Sequence, residues 1–393
     1  ATGTIQKPFL NEFADHAFRQ VAARRDDYFG YALPPELGFT PAYLRYRADL
    51  VELTYQRRFG DTAGPRGLLG LGISHESFQV PQEPGSTRAV VDGDFDRTQE
   101  APPAVRDALL AQAEPYATKR LTLYLGVRDV HYVLRQGLDA ITALQDLMVG
   151  SSVTLALGRG FAVGVDDQSD LLARLQARVG VIGPSHYLQA RTDVHARRPT
   201  GRALGAGSWR DVVGSVWADG YWSQSGWASL YVRGRASAGW NTQRPFQIRL
   251  GGREGIRAYT EDAFPGGQLV FGSVEQRFVL PVGPSFADLG FAFFADGGRT
   301  WAGDVPFGQD SGWQGGIGAG LRASPAGARR VFRVDATLPL GALRNERGVT
   351  LRIYGEIFGV LDRRRWPHQV DRSRWYGNDP DLSRRVPDPL ARN

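Results

Sequence analysis

The chain has 393 residues, 42% hydrophobic and 22% charged, with a formal net charge of +6. No apolar run approaches the roughly 18 residues that a membrane-crossing helix requires, which excludes a helical membrane protein. Forty-nine Gly, fourteen Tyr and nine Trp favour extended, turn-rich structure, and the absence of Cys removes disulfides and thiolate metal sites. The basic residues are spread along the sequence instead of forming a block, so nucleic acid is not an expected partner; an Arg-lined interior accounts for the excess.

Residues 1–40 differ in pattern from the rest of the chain. Phe9, Phe13, Ala17, Phe18 and Val21 recur at helical spacing and predict a short amphipathic helix over roughly 9–24. From about residue 43 the period becomes two. In 171–181, Leu171, Ala173, Leu175, Ala177, Val179 and Val181 alternate with Leu172, Arg174, Gln176, Arg178 and Gly180. In 230–240, Leu230, Val232, Gly234, Ala236, Ala238 and Trp240 oppose Tyr231, Arg233, Arg235, Ser237 and Gly239. Matching segments at 43–59, 67–80, 118–131, 150–161, 186–196, 210–221, 268–280, 288–301, 313–323, 330–340 and 350–358 bring the candidate strands to thirteen.

Strands that cross a bilayer need about 9–11 residues of this pattern, and single-chain bacterial barrels close with an even number. An odd count therefore points to a further strand in 1–40, in 129–150 or in the tail. A water-soluble sandwich would pack its apolar rows against a second sheet. A lipid-facing row instead tolerates small residues, as at Gly315, Ala319 and Ala323 between Trp313, Ile317 and Leu321. Trp222, Trp227, Trp240, Trp301 and Trp313 sit near strand ends, where an interfacial girdle places them. The expected fold is all-β, a transmembrane antiparallel β-barrel of about 12–16 strands over 41–360. A helical or irregular segment at 1–40 precedes it, and an irregular C-terminal extension at 361–393 comes after it. Breaks at 183–185 and 324–328 read as tight turns. The segments 81–117 and 241–267 are long enough for surface loops, the first with a helix near Val105–Glu114.

The most informative stretch is LGGREGIRAYTEDAFPGGQLVFGSVEQRFVLP, from Leu250 to Pro281. Strand parity places Glu275 with Ser273 and Arg277 on one face of 268–280. It places Asp296 with Gly290, Ala292 and Thr300 on the matching face of 288–301, so both carboxylates project inward from adjacent strands. The stretch resembles the BamA/TamA superfamily of outer-membrane assembly and translocation barrels, the bacterial surface-antigen family. Over about 240–358, GIGAGLRAS (316–324) and RVDATLPLG (333–341) come in that family's order. The resemblance implies that a long loop folds back into the barrel with an Arg-Gly-aromatic tip. Arg257 and Tyr259 match that tip, with Ala258 in the Gly position, and Glu275 and Asp296 fall where the family has inward acids. An arginine fork can hold two carboxylates in fixed geometry, which lysine could not reproduce, so Arg257, Glu275 and Asp296 are expected to form a structural lock without catalysis.

In VTLRIYGEIF the resemblance also implies a closing strand, with Tyr354 and the terminal aromatic Phe358 as its signal. The function implied is the insertion or export of polypeptides, or a scaffold role in an outer-membrane complex. Outer-membrane lipid, polypeptide clients and other complex subunits are the expected partners. The periplasmic polypeptide-transport-associated domains of the family have no counterpart in 1–40. A passive channel or purely structural barrel is the rival. An outer-membrane lipid hydrolase built on His75, Glu76 and Ser77 is a third reading, set back because Glu76 points away from the face its neighbours share. His131, His186 and His195 are scattered, and no metal or cofactor is expected.

Overall fold

Alternation of period two gives each strand two chemically opposed faces, and the chain curls its sheet so that one face of every strand meets a shared interior. The structure, a computed structural model, describes residues 2–9, 14–37, 39–61, 64–91, 94–163, 168–200, 207–261, 263–281, 285–341 and 348–357, with Val370 and Leu382. Its elements are β1 (Thr2–Lys7), β2 (His16–Tyr31), β3 (Phe39–Phe59), β4 (Arg66–Gln79), β5 (Thr87–Val91), β6 (Asp94–Glu100), α1 (Pro103–Gln112), β7 (Tyr116–Gln136), β8 (Leu144–Phe161), β9 (Ser169–Ile182) and β10 (His186–Thr200). They continue with β11 (Arg210–Ser223), β12 (Ala228–Trp240), β13 (Ile248–Arg249), β14 (Pro265–Gly266), β15 (Gln268–Val279), β16 (Ala287–Trp301), β17 (Gln314–Pro325), β18 (Arg330–Pro339) and β19 (Thr350–Ile357).

Seventeen strands form one sheet, and β13 and β14 pair separately. The β5–β6 hairpin attaches to β3. Setting its two strands aside leaves fifteen of the seventeen in an antiparallel meander, each paired with the next from β1 to β19. The fold is thus an all-β antiparallel barrel, with a strand number inside the expected range. β1 is laddered to β2 and β19 to β18; among the described residues no paired register joins β19 to β1.

Every one of the thirteen segments read from the sequence is a strand. The N-terminal reading is corrected. Instead of a helix over 9–24, His16–Tyr31 form β2, paired with β3 along its whole length and with β1 over Phe18–Ala23. Ala17, Arg19, Val21 and Ala23 are buried, while Gln20, Ala22 and Arg24 between them are exposed. The helical spacing of the apolar residues is a local signal, and non-local pairing overrides such signals in sheets. Two strands therefore lie within 1–40, which is part of the barrel and not a separate segment.

The two faces differ as their chemistry requires. Leu175, Val179, Val181, Val270, Val274 and Phe293 are exposed on the outer face, with no second sheet over them among the described residues. The inner face carries buried ion pairs. Arg19 pairs with Glu52, Arg120 with Glu76 at 3.0 Å and Asp170 at 2.7 Å, and Arg174 with Asp193 at 2.9 Å. The Arg19–Glu52 pair ties β2 to β3, and Glu52 also accepts a hydrogen bond from Thr54 Oγ1 at 2.8 Å. Removing one partner of a buried pair leaves an uncompensated charge. Glu52→Ala is expected to cost about 3–5 kcal/mol in urea titrations of the folded barrel, with Arg19→Met in the same background recovering most of it. If Arg19 instead lay on a solvated helix, Glu52→Ala would leave the midpoint unchanged.

Candidate functional site

The long connection between β12 and β15 is not a surface loop. From Phe246 to Phe264 it turns into the lumen, where Phe246, Ile248, Leu250, Ile256, Tyr259 and Phe264 form a buried apolar cluster with Leu269 and Phe271 of β15. The short β13–β14 pair closes its base, and Gly252 N bonds to Tyr259 O at 3.0 Å across its tip. Folded on itself in this way, the loop aims one charged side chain at the wall.

That side chain is Arg257, and its donors are met by two acids. Nε donates to Asp296 Oδ2 at 2.8 Å, Nη2 to Asp296 Oδ1 at 2.8 Å and Nη1 to Glu275 Oε2 at 2.9 Å; the backbone N also donates to Asp296 Oδ2 at 3.1 Å. Ser273 Oγ accepts a further bond from Nη2 at 3.2 Å. The guanidinium lies 3.4 Å above the centroid of Phe294, a cation–π contact made in a water-poor interior. The three residues expected to meet are therefore brought together, with the bidentate geometry on Asp296 that only arginine provides.

Tyr259 stands beside them. Its hydroxyl donates toward Gln314 Oε1 at 3.3 Å and accepts from Gly341 N at 2.9 Å, while the ring packs edge-on against Phe264. Tyr354 of β19 also points inward, with its hydroxyl on Asp335 Oδ2 at 2.5 Å. Phe358 lies outside the described residues, as does 361–393 apart from Val370 and Leu382. Val370 is buried in the loop's apolar cluster, and Leu382 O accepts from Phe9 N at 3.1 Å.

Several partners were not singled out in the sequence. Glu275 also accepts from Arg277 Nε at 2.7 Å and from Arg333 Nη2 at 3.1 Å, and Arg333 in turn reaches Asp335 at 3.2 Å. Arg352 of β19 donates to Arg257 O at 2.7 Å and to Tyr259 O at 2.5 Å, gripping the loop backbone itself. Period-two parity in 330–340 and 350–358 puts Arg333, Asp335 and Arg352 on the inner face, so the signal existed. At the far end of the lumen the turn between β7 and β8 also folds inward. Asp139, Ala140 and Ile141 are buried, Arg277 Nη1 donates to Leu138 O at 2.8 Å, and Arg322 donates to Asp139 O. The cluster thus sets Arg257, Arg277, Arg322 and Arg333 against Asp139, Glu275, Asp296 and Asp335, a balance that low-dielectric burial demands.

The alanine at 258 fits because the wall makes room. A Cβ on Gly316 of β17 would come within 2.7 Å of the Ala258 Cβ and 3.3 Å of Ile256 Cγ2. Ala258 is not among the residues with positive φ, so no glycine is needed at the tip itself. Further along β17, a Cβ on Gly318 would meet Phe294 at 2.4 Å, and one on Gly320 would meet Asp335 at 1.9 Å. The inward positions of β17 are empty where the loop tip, the stacked phenylalanine and the acid are seated.

The loop also touches β19, at one margin of the meander, and β2, next to β1 at the other. Arg352 holds it from β19. On the other side Arg249 Nη2 donates to Gly30 O of β2 at 2.9 Å, and Gln247 exchanges bonds with Ala32 N and O at 2.8 and 3.0 Å. Across its top, Gln112 at the end of α1 bonds to Thr242 Oγ1 at 2.5 Å and Tyr31 to Gln112 at 3.1 Å. The triplet at 75–77 does not converge. Glu76 is held by Arg120, and Ser77 Oγ donates to Asp49 Oδ2 at 3.3 Å.

No family model and no curated protein matches the chain. Solved structures similar to it include CdiB from Escherichia coli, with a TM-score of 0.39 and 12% identity over 90% of this chain and 61% of that one. BamA from Haemophilus ducreyi lacking POTRA domains 1–3 has a TM-score of 0.42 and 11% identity over 91% and 69%. CdiB from Acinetobacter baumannii has 0.36 and 11% over 90% and 58%. The chain spans about three fifths of the length of the two CdiB structures.

Two variants read the lock. Arg257→Ala removes every polar bond of the fork and is expected to lower the temperature at which the folded barrel loses its fast gel mobility and to expose the loop at Arg253 to trypsin. Arg257→Lys should recover only part, since it restores charge without the fork. Unchanged mobility together with unchanged cleavage would count against the lock. Gly316→Ala is expected to destabilise by about 1–3 kcal/mol through overpacking, and Ala258→Gly in the same chain to relieve it, a coupling read by a double-mutant cycle.

Proposed function

We propose that this chain is a barrel embedded in the outer membrane of a Gram-negative-type bacterium, and that it inserts or exports polypeptides or serves as a scaffold in an outer-membrane complex. The observation that carries the reading is the loop of 241–267, locked inside the lumen by Arg257 and gripping β2 on one side and β19 on the other. A loop so placed controls both the lumen and the margin where the first and last strands meet. Among the described residues β19 is laddered on one side alone, to β18, and an extended client strand can complete such an edge by adding to it.

The membrane setting is supported by the outer face. Leu351 and Ile353 of β19 are 70% and 80% exposed, and Leu175, Val179 and Val181 of β9, Val270 and Val274 of β15 and Phe293 of β16 are exposed as well. Hydrocarbon is the solvent in which such rows carry no penalty. Outer-membrane lipid is therefore the first partner, with polypeptide clients or further subunits of a complex as the others. The sequence resemblance over 240–358 points the same way. Against a passive channel stands the occupied lumen, filled by the loop above and by the turn 137–143 below.

Three outcomes are expected. A photo-crosslinking side chain at Leu351 or Ile353 captures an unfolded outer-membrane polypeptide added to the folded barrel; if nothing crosslinks along 350–357, the insertion role loses its support. In planar bilayers the barrel conducts little, and Arg257→Ala raises the conductance. Val179→Arg and Val274→Arg each cost about 2–4 kcal/mol of stability in lipid, as charge placed at mid-bilayer depth does.

A further inference from the structure

Past β19 the chain comes back to the barrel at two described residues, and they lie toward opposite ends of the lumen. Val370 is fully buried among Phe246, Ile248, Leu250 and Ile256 of the loop and Leu269 and Phe271 of β15. Leu382 is 2% exposed and packs on Phe9 and Ala17, with Ala14 and Leu68 beside them, while Phe9 N donates to Leu382 O at 3.1 Å. Ala17 shares the inner face of β2 with Arg19, and Leu68 that of β4 with Arg66, so this second seat also faces inward. In the alternating meander β2 and β4 run one way and β15 the other. Leu269 and Phe271 open β15 at the end where the long loop enters. Ala17 and Leu68 open β2 and β4 at the other end, which is also where β19 stops.

The spacing along the chain matches the depth of the lumen. From Phe271 to Val279 β15 rises roughly 26 Å at about 3.3 Å per residue, and the stretch from Val370 to Leu382 reaches about 40 Å when extended. The two seats differ in chemistry. The one around Val370 is apolar. At the one around Leu382 the Arg58 guanidinium lies 3.8 Å from the Phe9 ring centroid, and Arg66, which also holds Asp15 at 2.5 Å, is one inward position from Leu68. The residues that lead into Leu382 are Asp379, Pro380 and Asp381. Acids beside a leucine complement an apolar seat walled by arginines.

We propose that the chain beyond β19 is a built-in occupant of the lumen, seated by Val370 in the loop's apolar cluster and by Leu382 against Phe9, and that it shuts the side of the lumen next to the start of β2 and β4. The loop is bonded to β15 and β16 through Arg257, and the turn 137–143 to β15 and β17 through Arg277 and Arg322. The Leu382 seat lies on the side those contacts leave. Two apolar side chains and one backbone bond hold less firmly than the charge-assisted fork of Arg257, so this occupant is released before the loop. Its tether returns it, because a segment of the same chain presents itself at an effective concentration on the order of millimolar. The inference concerns closure of the lumen and stands apart from any handling of polypeptide clients.

The sequence has no Cys, so single thiols can be placed in the full chain and read without background. A membrane-impermeant maleimide is expected to label Val370→Cys and Leu382→Cys about tenfold or more slowly than Phe286→Cys, which is 75% exposed in the β15–β16 connection. Ala17→Cys combined with Leu382→Cys should be joined by a short bifunctional thiol reagent, whereas Val274→Cys on the outer face combined with Leu382→Cys should not. In planar bilayers Leu382→Asp, which sets a carboxylate in the apolar seat, is expected to raise the conductance about twofold or more. Trypsin cleavage at Arg253 should stay as in the parent chain, which separates release of this segment from release of the loop. Should Leu382→Asp fail to reach the fast-migrating folded form, Leu382→Ala empties the seat without adding charge and is expected to act in the same direction. Labelling of both thiols at the rate of Phe286→Cys, absence of the crosslink between positions 17 and 382, or a conductance that neither substitution at Leu382 moves overturns the proposal.

Discussion

One guanidinium holds this barrel's interior in order. Arg257 arrives on a loop and finds Asp296, Glu275 and Ser273 already positioned on two neighbouring strands, with Phe294 beneath it. Neither party is stable alone. An isolated buried arginine or a pair of adjacent buried carboxylates would be expelled or neutralised, so the loop is drawn in by the wall as much as the wall is satisfied by the loop. The apolar cluster around Phe246, Ile248 and Tyr259 adds the non-directional part of the attraction, and the fork supplies the register.

Charge neutrality extends the same constraint down the lumen. Glu275 is shared by Arg257, Arg277 and Arg333, and Arg277 passes the chain of bonds to Leu138 O and Asp139 in the inward turn between β7 and β8. The two segments that occupy the lumen are thus bonded to neighbouring members of one ion network. Arg352 extends it to the last strand through the loop's own carbonyls, which places β19 under the influence of a loop that began on β12.

Much of this is legible because an inside and an outside sort side chains at every second residue. The strands from 43 onward, and the inward direction of Glu275 and Asp296, come from that sorting alone; the loop's return needs the resemblance carried by Arg257 and Tyr259. The features that stay hidden depend on register or on chain reversal. β2 reads as a helix because Ala17 and Val21, four residues apart, share a face under either period, and only its pairing with β3 decides between them. Phe294 sits on the polar face, where an aromatic looks out of place until a guanidinium is laid upon it. The fit of Ala258 rests on Gly316, far along the chain in β17, and the inward turn at 137–143 looks in sequence like any connection between strands.

The bare inner side of β17 alters what the loop is. Gly316, Gly318 and Gly320 occupy consecutive inward positions, and the space their missing side chains would fill is taken by Ala258, Ile256, Phe294 and Asp335. A tube with a removable stopper would have a complete lining of its own. Here the lining at Gly316 is donated by the guest, through Ala258 and Ile256, while Phe294 and Asp335 of the wall cover Gly318 and Gly320; pulling the loop out would uncover naked backbone at that one point of β17 and leave it thin, hydrated and easily bent.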